Sequence, residues 1–296
     1  MKRRIIALVL ILCLILSLCG CFESGGISGF SITFIDVGQG DSALVACDGH
    51  YMLIDGGDAA AGEKVCDVLK ENGVKRLDIL VASHLHDDHI GGLIEVLDQL
   101  QSVKLVLSNA KNYTSRTFDK FHNRLVRHRT EIKVPTSDST YQLGSANIQI
   151  LSVQAQNEND SLVLMITYGE NTFLFAGDME QNQERQICDH YGDERQDITL
   201  LKVAHHGADT STSIRFLRTV MPKYAVISVG KGNQYGHPSK ETLEKLEQAG
   251  TTVYRTDING TIIVTSNGEK LKIDEYSAQD CAPRPPELSI HSGGIE

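Results

Sequence analysis

Three features of the 296-residue chain predict an α/β fold. Short apolar runs of strand length end in loops that open helical patterns, and both halves of the chain follow this rhythm. Turn pairs such as Asp48-Gly49 and Asn259-Gly260 separate the strands. Hydrophobic residues make up 41% of the chain, enough for a sizeable core, while the 22% of charged residues is ordinary for a soluble domain.

In chain order, Phe30 to Asp36 alternates and reads as a strand, followed by the glycine-rich turn Val37-Gly-Gln-Gly-Asp41. Ser42–Cys47 and Tyr51–Ile54 form a hairpin that ends in Asp55-Gly56-Gly57. Glu63–Asn72 has helical spacing and stops at Gly73. Ile79–Ala82 is a buried strand, a helix starts at Ile90, and Val103–Leu107 is the next strand. Thr114–Arg129 reads as a basic helix, carrying Arg116, Lys120, Arg124, Arg127 and Arg129. Its basic side is read as a solvated face, with an anionic-substrate wall as the alternative.

A second set of strands follows at Tyr141–Leu143, Asn147–Val153, Ser161–Tyr168 and Thr172–Ala176, the last closed by Gly177-Asp178. Glu180–His190 is helical, and Ile198–Ala204 is a strand leading into His205-His206-Gly207. Helix Ile214–Val220, strand Tyr224–Val229, the glycine-rich loop Gly230–Pro238 and helix Lys240–Gln248 continue the pattern. Strands at Thr252–Arg255, Thr261–Thr265 and Lys270–Ile273 end the domain, which is set at 30–276. Its proline- and glycine-rich continuation, 277–296, reads as a disordered tail.

The first residues belong to export rather than to the fold. Lys2-Arg3-Arg4 is a positive n-region, and Ile5–Leu18 is an apolar stretch of signal-peptide length, shorter than a membrane span. Leu18-Cys19-Gly20-Cys21 resembles a bacterial lipobox, which implies cleavage before Cys21 and a lipid on its thiol. An uncleaved signal anchor is the alternative. Either way the domain, joined by a short linker over 22–29, is expected outside the cytoplasmic membrane and tethered to it. Seven cysteines are present, three of them in the signal region. The other four show no metal-type spacing, and Cys47 and Cys66 read as small buried hydrophobes. The formal net charge of -10 shows no basic surface for nucleic acid, although a bound metal can invert the sign locally.

Chemistry is concentrated in Ser83-His84-Leu85-His86-Asp87-Asp88-His89-Ile90-Gly91-Gly92. Three imidazoles and two carboxylates in six consecutive positions, at the end of a strand, call for a metal. On an extended loop alternate residues point the same way, so His84 and His86 reach one metal. Asp88 and His89 lie where the chain turns into the helix and reach a second. A dinuclear site needs a bridging anion, for which Asp178 is the best candidate, and another imidazole, for which His205 and His206 compete. Among Asp36, Asp41 and Asp55, Asp55 is favoured as a carboxylate that orients an imidazole from behind; an ordinary Asp-Gly turn residue is the alternative.

These residues resemble the metallo-β-lactamase superfamily, and within it the ComEC-type branch of competence DNA-uptake hydrolase domains. The matching segments are Phe34-Ile-Asp-Val-Gly-Gln-Gly-Asp-Ser42, Asp55-Gly-Gly57, Ser83 to Gly92, Asn159-Asp-Ser-Leu-Val-Leu164, Phe173-Leu-Phe-Ala-Gly-Asp178, Leu201-Lys-Val-Ala-His-His-Gly207, Asn233-Gln-Tyr-Gly-His-Pro238 and Tyr254-Arg-Thr-Asp-Ile-Asn-Gly260. The resemblance implies an αββα four-layer sandwich and two divalent metals, zinc or manganese. Carried over, His84, His86 and Asp178 hold the first metal, and Asp88, His89, Asp178 and one of His205/His206 the second. The family's Gly-His-Gly loop favours His206 as the ligand and frees His205 to contact phosphate or donate a proton. Asp88, His205 and Lys202 are the candidate catalytic residues. Lys202 is spaced to point inward, with a snorkelling core-edge lysine as the alternative, and His237 is a further candidate to face substrate. The third histidine usual at the first metal is absent, with Asn157, Asn159 and Asp160 in its place. No multi-helix channel accompanies the domain here, so it is read as free-standing.

The expected function is a phosphodiesterase or nuclease that uses a metal-activated water. A cell-surface esterase of teichoic-acid type and a non-catalytic membrane-tethered binding module are the alternatives. A β-lactamase rests on the superfamily name alone, since fold does not fix chemistry.

Overall fold

The computed structural model describes residues 29–276, apart from residues 158 and 193. The signal region and lipobox, the linker as far as residue 28, and the tail from residue 277 lie outside the described residues. Among the described residues no helix is long and apolar enough to cross a membrane.

Two mixed sheets form the framework, with strands numbered along the chain. The first contains β1 (Phe30–Phe34), β2 (Ala43–Cys47), β3 (His50–Ile54), β4 (Arg76–Ala82), β5 (Ser102–Ser108), β6 (Ile132–Lys133), β14 (Thr261–Ser266) and β15 (Leu271–Tyr276), in the order β15-β14-β1-β2-β3-β4-β5-β6. The second contains β7 (Thr140–Leu143), β8 (Ala146–Val153), β9 (Leu162–Tyr168), β10 (Asn171–Phe175), β11 (Leu200–Lys202), β12 (Tyr224–Ile227) and β13 (Thr252–Arg255), in the order β13-β12-β11-β10-β9-β8-β7. Each sheet is antiparallel on one side and parallel from β3 or β10 onward. Parallel neighbours need crossover connections. Helices supply them: α1 (Gly62–Glu71), α2 (Asp87–Ile90), α3 (Leu93–Gln99) and α4 (Arg116–Arg127) on the first sheet, α5 (Gln181–Tyr191), α6 (Ile214–Val220) and α7 (Lys240–Gln248) on the second.

Strand alternation sorts the side chains into three buried layers. Val45, Met52, Phe173 and Phe175 point between the sheets. Leu44 and Leu53 point the other way, under α1, α3 and α4, and Leu174 and Leu201 lie under α5, α6 and α7. The result is the αββα four-layer sandwich. With no tryptophan in the chain, phenylalanines join the sheets: Phe30 stacks on Phe173 at 4.8 Å and Phe34 on Phe175 at 5.7 Å between centroids.

Most expected elements are present, and the differences have local causes. The helix read from Ile90 is two helices, broken at Gly91-Gly92. The strand read over 198–204 contracts to β11, because the backbone turns sharply after Val203. The turn at Asn259-Gly260 is the end of a one-turn helix, α8 (Thr256–Asn259), and the two-residue β6 carries too little pattern to be read. Cys47, Cys66 and Cys188 are free and buried. On α4, Arg124 pairs with Asp98 at 3.0 Å on the surface, as a solvated face would.

Glycines lock the histidine loop to the Asp55-Gly56-Gly57 turn. Gly56 N donates to His89 O at 2.8 Å and Gly92 N donates to Gly57 O at 3.0 Å. A Cβ on Gly92 would stand 2.1 Å from Gly56 O, a backbone atom that cannot swing aside. Gly92→Ala is therefore expected to cost about 1–3 kcal/mol of stability, read as a lowered midpoint in urea denaturation; an unchanged midpoint would contradict this packing.

Candidate metal centre

The polar loops gather where the parallel strands end, the usual place for a site in α/β sheets. β3 delivers Asp55, β4 delivers Ser83 to His89, β10 delivers Asp178 and β11 delivers His205 and His206. His86 occupies the N-cap of α2 with extended φ/ψ of -74° and 156°. His84 and His86 thus lie on extended chain and Asp88 and His89 on the helix, while Leu85 anchors the loop in the core between them.

His84 Nε2 and His86 Nδ1 face each other at 3.0 Å. His89 Nδ1 lies 2.9 Å from Asp55 Oδ2, where its N–H donates to the carboxylate. That bond turns Nε2 toward Asp178 Oδ2 at 3.4 Å and Asp88 Oδ1 at 4.0 Å. Asp55 is itself fixed by Ser83, whose N–H donates at 2.8 Å and whose hydroxyl donates at 2.7 Å. Asp55 therefore takes the imidazole-orienting position read for it from the sequence.

His205 and His206 both have left-handed backbone, with φ of 49° and 53°. Strain of this kind in non-glycine residues persists where surrounding contacts enforce it. Here His205 N donates to Gly177 O at 3.0 Å, which ties this turn to the end of β10. The two neighbours diverge. His206 is buried, with Nε2 3.5 Å from Asp88 Oδ2 and 3.7 Å from Asp178 Oδ2. Its Nδ1 donates to Ser228 O at 3.0 Å. His205 stays at the rim, partly exposed, with Nε2 3.9 Å from Asp178 Oδ2 and Nδ1 3.8 Å from Glu180 Oε1. The geometry places His206 among the ligand-type groups and leaves His205 facing the opening.

Asp178 is delivered by Gly177, whose φ of 55° turns the chain at the end of β10. Its N–H donates to Ser161 Oγ at 2.9 Å, and its Oδ2 lies 3.8 Å from His84 Nε2. Ligand atoms of His84, His89 and Asp178, and likewise of Asp88, His89 and His206, lie within 4.8 Å of one another. His89 Nε2, His206 Nε2 and Asp178 Oδ1 are buried without a hydrogen-bond partner. Orphaned buried polar atoms are costly, and these converge on one space. The residues fit divalent metals, with His84, His89 and Asp178 in one group and Asp88, His89 and His206 in another; of the expected first-site ligands, His86 joins through its 3.0 Å approach to His84 Nε2 and lies outside these groups.

Two of the three substitutes for the missing histidine are engaged elsewhere. Asp160 turns into its own loop and accepts from Gln156 N and Asn157 N at 2.8 and 2.9 Å. Asn159 donates to Glu180 Oε1 at 3.0 Å. The first site is therefore open, with Tyr113 set edge-on to His86 at 5.5 Å. His237 borders the opening, its ring 5.7 Å from that of His205.

Lys202 points inward, as its spacing suggested, with a buried carboxylate for its partner. It shares strand parity with Leu200, which points between the sheets, and it is 3% exposed. Its Nζ donates to Asp41 Oδ2 at 2.7 Å and to Val203 O at 3.0 Å. It does not face the opening. Asp41, passed over in favour of Asp55, is the partner that sequence reasoning missed. Its signal was its position at the end of a Gly-x-Gly turn leaving β1. Asp36 pairs with Lys64 at 3.2 Å, away from the cluster.

Charge is unevenly shared. Burial and the neighbouring His89 push His84 well below the ordinary imidazole range. Burial alone would lower His89 too, but the Asp178 and Asp55 carboxylates hold it well above. For His206 burial is likewise outweighed, and Asp178 and Asp41 raise it to about 10. Asp178 is kept ionised despite its burial by His89 and His206.

Residues 35–231 match the family model of the metallo-beta-lactamase superfamily. Among curated proteins, the chain is 31% identical over 265 residues to ComE operon protein 3 of Bacillus subtilis, covering 82% of this chain and 33% of that protein. It is 28% identical over 257 residues to Recombination protein 2 of Haemophilus influenzae, covering 83% of this chain and 30% of that one. The chain thus spans about a third of the length of these relatives. Among solved structures, the metallo-beta-lactamase fold protein YhfI of Bacillus subtilis aligns with a TM-score of 0.54 at 13% identity, covering 80% of this chain and 100% of that one. CmlA, a diiron beta-hydroxylase of Streptomyces venezuelae, aligns with a TM-score of 0.51 at 13% identity, covering 77% and 53%.

Metal ligands must shed their protons, which sets the sign of a pH effect. In the metal-free protein at neutral pH, His89 and His206 hold protons, and metal uptake displaces them. For the proton on His206, affinity should rise about tenfold per pH unit between pH 7 and about 10. Titration calorimetry in buffers of different ionisation enthalpy should show proton release at pH 7; affinity that stays flat with rising pH would contradict the assignment.

Proposed function

The chain belongs to the metallo-beta-lactamase superfamily of metallo-hydrolases, and we propose that it is a phosphodiesterase with two divalent metals, zinc or manganese, acting on DNA. The observation that carries this is the charge of the ligand set. In the ligand set read here Asp88 and Asp178 supply the carboxylates, with Asp41 and Asp55 set behind the rings of His206 and His89, and the imidazoles bind as neutral groups. Two divalent cations in such a set leave a net positive centre, which favours an anionic substrate such as a phosphodiester. The names of the relatives, a Com-operon protein and a recombination protein, favour DNA as that substrate.

When bound, the two metals supply an activated water and a Lewis acid for a phosphoryl oxygen. The chain's own residues arrange the rest. Asp178 ties the two halves of the site together, and Asp55 fixes the ring of His89 through Nδ1. The opening beside His84 and His86 admits the phosphate. His205, at the rim on its strained turn, donates a proton to the leaving oxygen, and Thr210 Oγ1 at 3.4 Å holds its Nδ1. Asp88 belongs here to the ligands rather than to proton transfer.

A second reading has one observation in its favour. The net charge of -10 suits a small phosphoester of the cell surface, of teichoic-acid type, better than bulk DNA, whose affinity depends on neutralising many phosphates.

Incubation of the full chain with Mn²⁺ or Zn²⁺ and either DNA or bis-p-nitrophenyl phosphate tests the proposal. Cleavage is expected, and His86→Ala and Asp178→Asn should lose it by at least about a hundredfold. No cleavage, or equal turnover by wild type and His86→Ala, would sink it. DNA affinity that falls steeply with salt supports the first reading, and a salt-insensitive activity on small phosphoesters supports the second.

A further inference from the structure

Asp41 lies at a crossing point of four loops. Its N–H donates to Asp88 O at 3.4 Å, and its carbonyl accepts from Gly57 N at 2.8 Å. The preceding Gly40 packs so closely that a Cβ there would stand 2.4 Å from Asp88 O. Gln39 Oε1 accepts from Gly230 N at 3.2 Å, which ties the same loop to the chain that follows Ser228. Both oxygens of the carboxylate are buried. Oδ2 accepts from Lys202 Nζ at 2.7 Å. Oδ1 has no hydrogen-bond partner and lies 3.2 Å from His206 Nδ1.

His89 and His206 are therefore backed in parallel ways, one by Asp55 and the other by Asp41. The supports differ in charge. Asp55 is held by the neutral N–H and hydroxyl of Ser83, whereas Asp41 is held by a buried ammonium. Asp41 is also near enough to be a rival ligand: one of its oxygens falls within 4.8 Å of ligand atoms of both Asp178 and His206.

We propose that Asp41 and Lys202 are a positioning pair for the second metal site. Asp41 and Ser228 O hold the Nδ1 side of His206, so that Nε2 is turned toward Asp88 and Asp178. Lys202 occupies the other oxygen of Asp41 and keeps that carboxylate as a support instead of a ligand. A carboxylate behind a metal-binding imidazole fixes both its tautomer and its orientation. The lysine adds a compact positive charge where a buried carboxylate would otherwise be unpaired. The inference rests on reading His206 as a second-site ligand.

The test uses the full chain, with melting temperature and calorimetric titration by Mn²⁺ as readouts. Lys202→Met alone leaves Asp41 buried and unpaired and should lower the melting temperature. The double variant Asp41→Asn/Lys202→Met removes both charges and should recover most of that loss. If the pair only holds the fold together, metal binding recovers too. If it positions His206, the first equivalent binds as in wild type and the second about 10–100-fold more weakly. The single variant Asp41→Asn, which keeps the shape of the side chain, should show the same selective loss, and it carries the test if the double variant does not fold. Wild-type affinity for both equivalents in a folded variant overturns the inference alone. A wild type that binds fewer than two equivalents overturns the metal-centre reading itself.

Discussion

A single carboxylate oxygen, Oδ2 of Asp178, lies between 3.4 and 3.9 Å from ring nitrogens of His84, His89, His205 and His206. The rest of the site is arranged to make that convergence tolerable. A buried carboxylate is costly unless cations or donors surround it. A cluster of buried imidazoles has the same difficulty with the opposite sign. Folding β10 of the second sheet against the loop after β4 of the first lets each satisfy the other. The inter-sheet phenylalanines bring the sheets to a fixed separation, and Leu162 N donating to Ser83 O at 2.7 Å pins the two edges beside the site.

Around this convergence, each ligand-type side chain is held from behind. Asp55 backs His89, Ser228 O and Asp41 back His206, and Ser161 Oγ receives the backbone N–H of Asp178. Among the buried atoms left without a hydrogen-bond partner are the inward nitrogens of both supported rings, His89 Nε2 and His206 Nε2. Rings held through Nδ1 with Nε2 left unpaired are what a metal centre needs, whereas a structural ion-pair network would pair both nitrogens. The opening lies on the His84–His86 side, where no third imidazole closes the sphere. The diiron beta-hydroxylase CmlA shares the fold, and a fold sets no reaction by itself. The charge of the ligand set and the groups at the rim decide what it does.

Much of this was legible in the chain. The six-residue cluster announces a metal by density alone, and strand-to-helix alternation announces the sheets. Asp178 was found because a strand pattern ended on it. The choice between His205 and His206 was not legible from residue types, since both are histidines beside a glycine. It depends on two consecutive left-handed residues that swing one ring inward and the other to the rim. For Lys202 the inward direction was legible and the partner was not: the parity it shares with Leu200 puts it between the sheets, where a lysine needs a buried partner. That partner, Asp41, is 161 residues away in sequence, and no local pattern pairs them. Asp160 had the right composition for a ligand, but its loop turns the carboxylate onto its own backbone.

The fold, the ligand cluster and the rim histidine form one chain of dependence: strand ends place the groups, buried aspartates aim the rings, and the shared carboxylate joins the two halves. Electron paramagnetic resonance on the full chain loaded with two equivalents of Mn²⁺ tests that joining most directly. A carboxylate of Asp178 shared between the ions predicts an exchange-coupled spectrum that Asp178→Ala abolishes. Two independent single-ion signals in the wild type would contradict it.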